Sequence, residues 1–279
     1  METMNLNNGL TIPSLGFGSF LIPPGDDTVN AVLCALQSGY THIDTAAIYR
    51  NEQSVGEAVR RSGIPRQDLF ITSKLWNSER GYDTTLRAFD RTMEALGMDY
   101  LDLYLIHWPA NRLMFGDDAE RLNLDTWHAM ERLNKEGRIR TIGVSNFMPH
   151  QLKLFFDEAE TIPAVDQIEF HPGFTQQACV DFCHEKGIVV EAWSPLGRGA
   201  ALTDGLIQSI ASKHGRTPAQ VVIRWVLQKG VLPLVKSVNP ARIAENLQVL
   251  DFALDQADMD AIATLSTDRI GSDPDGVIV

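Results

Sequence analysis

Several things are scarce in this chain, and each scarcity excludes something. There are three cysteines, Cys34, Cys179 and Cys183, an odd number with no C-x-x-C pair. That argues against a disulfide framework or a zinc ribbon and leaves reduced structural thiols. No run of about 18 apolar residues occurs, so no membrane-spanning helix is expected. The polar opening Met1 to Pro13 has no basic stretch followed by an apolar one, and a cytoplasmic protein is the expectation. Positive charge is also short: Lys and Arg number 24 against 36 Asp and Glu, a formal charge of -12. Nucleic acid and anionic membrane, which need a basic face, are disfavoured as main partners. The fingerprint G-x-G-x-x-G is missing too, since Gly16-x-Gly18 and Gly197-x-Gly199 both lack the third glycine.

What is present is a regular alternation. Asn7-Asn8-Gly9 between Met4-Asn5-Leu6 and Leu10-Thr11-Ile12 predicts an N-terminal β-hairpin, because both turn residues tolerate positive φ. Strands are then expected at Leu15 to Phe20, Tyr40 to Asp44, Leu69 to Lys74, Leu101 to His107, Ile139 to Val144, Val165 to Phe170, Ile188 to Trp193 and Val231 to Val235. Between them, helical spacing covers Asp27 to Ser38, Asn51 to Ser62 with Asn51 as cap, Asp83 to Leu96, Leu124 to Glu136, Pro149 to Glu158, Gln176 to Lys186, Leu206 to His214 and Pro218 to Gln228. A last helix runs from Pro240 to Leu250. Eight short apolar strands separated by amphipathic helices imply a parallel sheet closed into a (β/α)8 TIM barrel, an α/β fold. Barrels of this kind run to about 250 residues as one domain, so residues 1–279 are read as a single domain. A doubly wound open sheet is the alternative, without its fingerprint.

In a barrel the C-terminal ends of the strands converge on one mouth. Those ends deliver Asp44 and Tyr49, Lys74 with Trp76 and Asn77, His107 and Trp108, Ser145 and Asn146, Gln167 to His171, Trp193 and Ser194, and Lys236 and Ser237. Singly, each has a bland reading as a cap, a surface pair or a packed turn. Together, an acid, a phenol, an amine and an imidazole from three successive strands form a proton-handling set.

The motifs carrying these residues run the length of the chain: His42-Ile43-Asp44-Thr45-Ala46, Thr72-Ser73-Lys74-Leu75-Trp76-Asn77, Asp102 to Pro109, Ile142 to Phe147, Gln167-Ile168-Glu169, Ser194-Pro195-Leu196-Gly197 and Lys236-Ser237-Val238. With them the chain resembles the aldo-keto reductases, (β/α)8 enzymes that reduce carbonyls with NAD(P)H, and most resembles bacterial members acting on 2,5-diketo-D-gluconate. The resemblance implies that Tyr49 donates the proton, that Lys74 and Asp44 tune it, and that His107 orients the substrate carbonyl. Physical chemistry agrees with these roles. A phenol near pKa 10 is a poor acid-base catalyst at neutral pH. An ammonium at about 4 Å favours the phenolate by roughly 4 kcal/mol at an effective dielectric of about 20, so a net downward shift of the phenol is expected.

The resemblance further implies NADPH as cofactor, bound without a Rossmann fingerprint. Trp193 would stack on the nicotinamide, and Ser145, Asn146 and Gln167 would hold its carboxamide. The pyrophosphate would run along Ser194, Leu196, Gly197 and Gly199, with Gly18, Phe20 and Asp44 nearby. Lys236, Ser237, Val238 and Arg242 would take the adenosine end, Arg242 gripping a 2′-phosphate bidentately, with Glu245 and Asn246 near the adenine. Val235 and Asn239 depart from the residues relatives often carry there. Phe20, Ile48, Trp76, His107 and Trp108, with the loop from Ala110 to Asn123 and the tail after Ser266, would line an open substrate side. Such a pocket suits small polar or sugar-derived carbonyls better than a steroid, and a monomer is expected. Two other classes stand beside this reading: a non-catalytic NADPH sensor on the same barrel, and a metal-dependent hydrolase using Asp166, Glu169 and His171, for which no metal is expected.

Overall fold

The computed structural model describes residues 2–277. Its chain opens with β1 (Thr3–Asn5) and β2 (Thr11–Pro13), an antiparallel pair turned at Gly9, whose φ of 84° needs a residue without Cβ. The hairpin clasps the underside of the barrel: Asn7 Nδ2 donates to the Pro163 carbonyl at 2.9 Å. Leu6 and Ile12 join Phe70, Leu103, Val165 and Leu232 in an apolar plug that closes the end away from the site. Burying each such side chain contributes about 1.5–3 kcal/mol.

The barrel strands are β3 (Gly16–Gly18), β4 (His42–Asp44), β5 (Phe70–Leu75), β6 (Leu101–Ile106), β7 (Ile139–Ser145), β8 (Val165–Glu169), β9 (Val189–Trp193) and β10 (Leu232–Val235). All pair in parallel, and β10 returns to β3 to close the ring. Around it lie α1 (Asp26–Ser38), α2 (Glu52–Ser62), α3 (Tyr82–Leu96), α4 (Arg112–Phe115), α5 (Ala119–Lys135), α6 (Pro149–Glu158), α7 (Gln177–Glu185), α8 (Gly205–His214), α9 (Pro218–Gln228), α10 (Pro240–Leu247) and α11 (Gln256–Ala263). None of the helices among the described residues is long and apolar enough to cross a membrane.

The closed (β/α)8 barrel with its hairpin is therefore as expected, and the differences are local. α5 begins at Ala119, five residues earlier than the apolar spacing indicates, and α10 ends at Leu247 instead of Leu250. The short α4 and the terminal α11 were not anticipated. Both are started by side-chain caps that periodicity does not register: Asn111 accepts from Met114 N at 3.0 Å and Asp255 from Asp258 N at 2.9 Å. Asn51 stands at the N-cap position of α2 but makes no capping bond. Its amide instead donates to the Ser19 and Ile22 carbonyls at 3.0 and 3.1 Å and accepts from Thr45 Oγ1 at 3.0 Å, tying the β3 loop to the β4 loop at the mouth.

Strand period sorts side chains between two apolar zones. Outward residues such as Phe17, Ile43, Tyr104 and Ile168 meet the helices, with Trp127, Phe155 and Trp225 fully buried in that layer. Inward, close packing demands glycine: a Cβ on Gly16 would lie 2.7 Å from His42 Nδ1, and one on Gly143 2.7 Å from the Val165 carbonyl. Above the apolar plug, the barrel interior turns polar, through His42, Thr72 and Glu191 to Asp44, Lys74 and Gln167.

Candidate active site

Asp44, the last residue of β4, pairs with Thr72 of β5, and Lys74, two residues further on and penultimate in β5, has its side chain on the same face of the sheet as Thr72, beside Asp44. Lys74 is fully buried, with Nζ 2.7 Å from both carboxylate oxygens of Asp44 and 2.9 Å from the Thr45 carbonyl. Its remaining reach is to Tyr49 Oη at 3.5 Å. Tyr49 is carried by the short turn Ala47–Tyr49 after β4, with its ring 5.0 Å from Phe20 and 5.8 Å from His107. His107 follows β6, and its ring meets Trp76 edge-on at 5.3 Å. Its Nδ1 is buried without a hydrogen-bond partner. Three strands thus assemble acid, amine, phenol and imidazole.

The electrostatics correct one expectation. The phenol of Tyr49 is not lowered but raised: burial pushes it up, Lys74 pulls down, and Asp44 pushes up again. The physical reason is that desolvation acts in full on the buried hydroxyl, while the pull of the ammonium at 3.5 Å is offset in part by the opposite charge of Asp44, 2.7 Å from that ammonium. Lys74 itself is raised: burial opposes its charge, and Asp44 and Tyr49 outweigh that opposition. His107 is held well below its ordinary value by burial and by the charge of Lys74, so it is a neutral imidazole at physiological pH. A neutral ring able to donate and a phenol that keeps its proton both face one opening.

That opening is a cavity of about 1130 Å³ running from Phe20, Ile48, Tyr49, Trp76, His107 and Trp108 at one end to Lys236, Ser237, Arg242, Glu245 and Asn246 at the other. Gly18, Asp44, Ser145, Asn146, Gln167, Trp193, Ser194, Leu196 and Gly199 line it between the two. Trp193 is held by its Nε1, which donates to Asn146 Oδ1 at 2.8 Å; Asn146 in turn donates to the His107 carbonyl at 3.0 Å from a left-handed backbone, φ 65°. Ser145 Oγ donates to the Gln167 carbonyl at 2.7 Å. At the far end, Lys236 and Arg242 take part in no salt bridge among the described residues and flank the N-terminus of α10, where Asn239 accepts from Arg242 N at 3.2 Å. Unneutralised cations beside a helix N-terminus suit a phosphate. The length, the indole wall and this cationic end fit a phosphorylated dinucleotide.

Comparison with known proteins decides the class. Residues 14–267 match the Aldo/keto reductase family. The chain belongs to that family. It is 47% identical to the glyoxal reductase of Bacillus subtilis (strain 168), over 99% of this chain and 98% of the relative. It is 46% identical to the 9,11-endoperoxide prostaglandin H2 reductase of Trypanosoma cruzi (strain CL Brener), over 98% and 94%. Among solved structures, Gox0644, crystallised as a mutant in complex with NADPH, superposes with a TM-score of 0.92 at 43% identity, covering 100% of this chain and 99% of that one. This aldo-keto reductase is an NADP-dependent oxidoreductase that reduces carbonyl compounds, with NADPH as cofactor.

Two residues expected at the reductase's cofactor cleft do not reach it. Gly197 is buried and absent from the lining, and a Cβ on it would lie 3.9 Å from the His171 ring; Val238 is 57% exposed outside the cleft. Other residues line it that the motifs do not name. Arg198, at φ 51°, adds a third cation, and Thr217, Pro218 and Ala219 bring the start of α9 to the same cavity. Leu21 lines it as well, as do Ile270, Gly271 and Ser272 of the tail after Ser266, the segment expected there. No local signal marks the tail residues, because they arrive by long-range bonds: Glu169 accepts from Ile270 N at 2.6 Å and from Gly271 N at 2.9 Å. Glu169 also pairs with His171 at 3.1 Å, whereas Asp166 faces the thiols of Cys179 and Cys183 outside the barrel. The three do not converge on one ion, and all three cysteines are free.

Proposed function

We propose that this aldo-keto reductase converts small, polar aldehydes and ketones, dicarbonyl or sugar-derived and including 2,5-diketo-D-gluconate in that class, to alcohols, with Tyr49 as proton donor. The observation that carries the reading is the Tyr49 hydroxyl and the His107 ring flanking one opening, with Lys74 directly beneath the hydroxyl. NADPH, when bound, would supply the hydride that the carbonyl carbon accepts. As charge builds on the carbonyl oxygen, His107 donates a hydrogen bond to it and Tyr49 Oη gives up its proton to it. The raised phenol holds that proton until the oxygen becomes basic enough to take it. Lys74 then faces the phenolate at 3.5 Å, and Asp44 keeps that lysine charged.

Holding the cofactor falls to Ser145, Asn146 and Gln167 at the carboxamide and to Trp193 against the ring. Ser194, Leu196 and Gly199 would run along the pyrophosphate, and Lys236, Ser237 and Arg242 would take the 2′-phosphate, with Glu245 and Asn246 by the adenine. The substrate side is aromatic and small: Phe20, Trp76 and Trp108 with Ile48 leave His107 and Tyr49 as its polar groups, which favours short molecules whose carbonyl must approach both. The glyoxal reductase likeness supports a short dicarbonyl substrate. Steady-state kinetics with NADPH on methylglyoxal, glyoxal, keto-sugars, α-keto esters and aromatic aldehydes tests this. A kcat/KM highest for a bulky polycyclic ketone would defeat the size argument.

A further inference from the structure

Glu191, on β9, is fully buried in the barrel, and no step above uses it. Its Oε2 accepts from Gln167 Nε2 at 2.8 Å, and the same nitrogen gives its other hydrogen to Asp44 Oδ2 at 3.0 Å. Gln167 lines the cavity, while Glu191 stands behind it. The second oxygen, Oε1, has no hydrogen-bond partner, and the nearby His42 Nε2, 3.8 Å away, is bonded to Thr72 Oγ1 at 3.0 Å. Buried polar atoms without partners are rare and call for a reason.

We propose that Glu191 is a positioning residue for the nicotinamide: with Asp44 it occupies both amide hydrogens of Gln167, so that only the Gln167 carbonyl oxygen faces the cofactor, and its charge weighs the oxidised ring against the reduced one. This rests on Gln167 as a carboxamide contact. An amide has two N–H donors and one carbonyl acceptor. With both donors committed inward, the oxygen is what remains to accept from the carboxamide NH2. The arrangement fixes the amide's orientation without any contact between Glu191 and the cofactor.

The charge argument follows from what surrounds the acid. The titratable groups facing it are His42 and Asp44 on β4 and Lys74 on β5; Gln167 comes from β8, and β10 and β3 contribute Leu232, Leu234 and Gly16. Burial and the charge of Asp44 push Glu191 up to about 8, against Gln167 and Lys74, while His42, driven down to about 3, stays neutral. Near pH 7 the acid is neutral, and above 8 it is an anion. The nicotinamide ring is a cation when oxidised and neutral when reduced, so an anion behind Gln167 favours NADP+ over NADPH. The 2′-phosphate and the cations that hold it are common to both forms and drop out of the ratio.

Titrating wild type and Glu191→Gln with NADP+ and with NADPH, by quenching of tryptophan fluorescence from pH 6.5 to 9.5, tests this directly. In wild type the ratio Kd(NADP+)/Kd(NADPH) falls about tenfold across that range, as expected for one charge near another in a medium of intermediate dielectric. In Glu191→Gln it stays flat. The same pH dependence in both proteins overturns the inference. Calorimetry on wild type at pH 8 in two buffers of different ionisation enthalpy needs no variant: NADP+ releases protons and NADPH does not, and equal release overturns the inference. A wild type that binds NADPH nowhere in the range overturns the cofactor reading as well, whereas tight binding with a pH-independent ratio overturns this inference alone.

Discussion

Lys74 Nζ lies 3.5 Å from Tyr49 Oη while making both of its 2.7 Å contacts to Asp44. The amine is thus placed to receive a phenolate without creating one beforehand. Tyr49→Phe is therefore expected to lower kcat for carbonyl reduction at least about a hundredfold, the scale of general acid catalysis, with NADPH affinity nearly unchanged. Stopped-flow turnover with parallel fluorescence titration reads both, and equal turnover in the variant would remove the phenol from the mechanism.

Lys74→Met leaves the Asp44 carboxylate buried with the Gln167 amide as its remaining side-chain donor. Breaking a buried pair from one side costs about 3–5 kcal/mol, much of it the stranded charge. Urea unfolding should show that loss, and the double variant Asp44→Asn/Lys74→Met should lose clearly less than the sum of the single changes. Strict additivity would mean that the two groups do not interact.

Arg242 faces the far end of the cleft without an ion-pair partner among the described residues. Arg242→Ala should raise KM for NADPH about tenfold or more and leave NADH nearly unaffected, since a guanidinium grips the 2′-phosphate through charge-assisted bonds that NADH lacks. A uniform loss for both cofactors would place the arginine elsewhere on the dinucleotide.

Glu191 also leaves a mark on stability. Its folded value, about 8, is above the ordinary 4.5, so the stability linked to its proton is fully present below 4.5 and is lost as pH rises through 8. Over that window Glu191→Gln should gain on wild type by up to about 1.4 kcal/mol per pH unit, because the amide cannot ionise. Urea midpoints of the two proteins at pH 5, 6.5 and 8 measure the difference. A gap that does not widen with pH would show that Glu191 ionises alike in the folded and unfolded chains.

Gly271 packs so closely on Trp193 that a Cβ would come within 2.4 Å of Cη2. Gly271→Ala must displace either the tail or the indole, and a raised substrate KM with altered tryptophan emission is expected. Unchanged kinetics and emission would show that the tail gives way freely despite its two bonds to Glu169.

The extent to which the sequence alone revealed this protein follows the range of the interactions concerned. Strand and helix alternation, the hairpin turn at Asn8-Gly9 and the placing of Asp44, Tyr49, Lys74 and His107 past strand ends are local patterns, and they were legible because hydrophobic periodicity and turn chemistry act over a few residues. Most residues named from the motifs line one cavity, since each βα loop delivers its residues to the same rim. Gly197 and Val238 fell outside it because neighbouring positions in one loop point to different sides, and Ile270, Gly271 and Ser272 were not named because Glu169, about a hundred residues earlier, brings them in.

Residue order by itself determined the barrel, its polar mouth and the proton-handling set, because each is encoded by side-chain type at short spacing. Tertiary structure alone decided the direction in which the Tyr49 phenol shifts, the bonds Asn51 makes and the isolation of Glu191 behind Gln167. Those depend on how many ångströms separate groups from different strands and how little water reaches them, and neither distance nor dielectric is written along a chain.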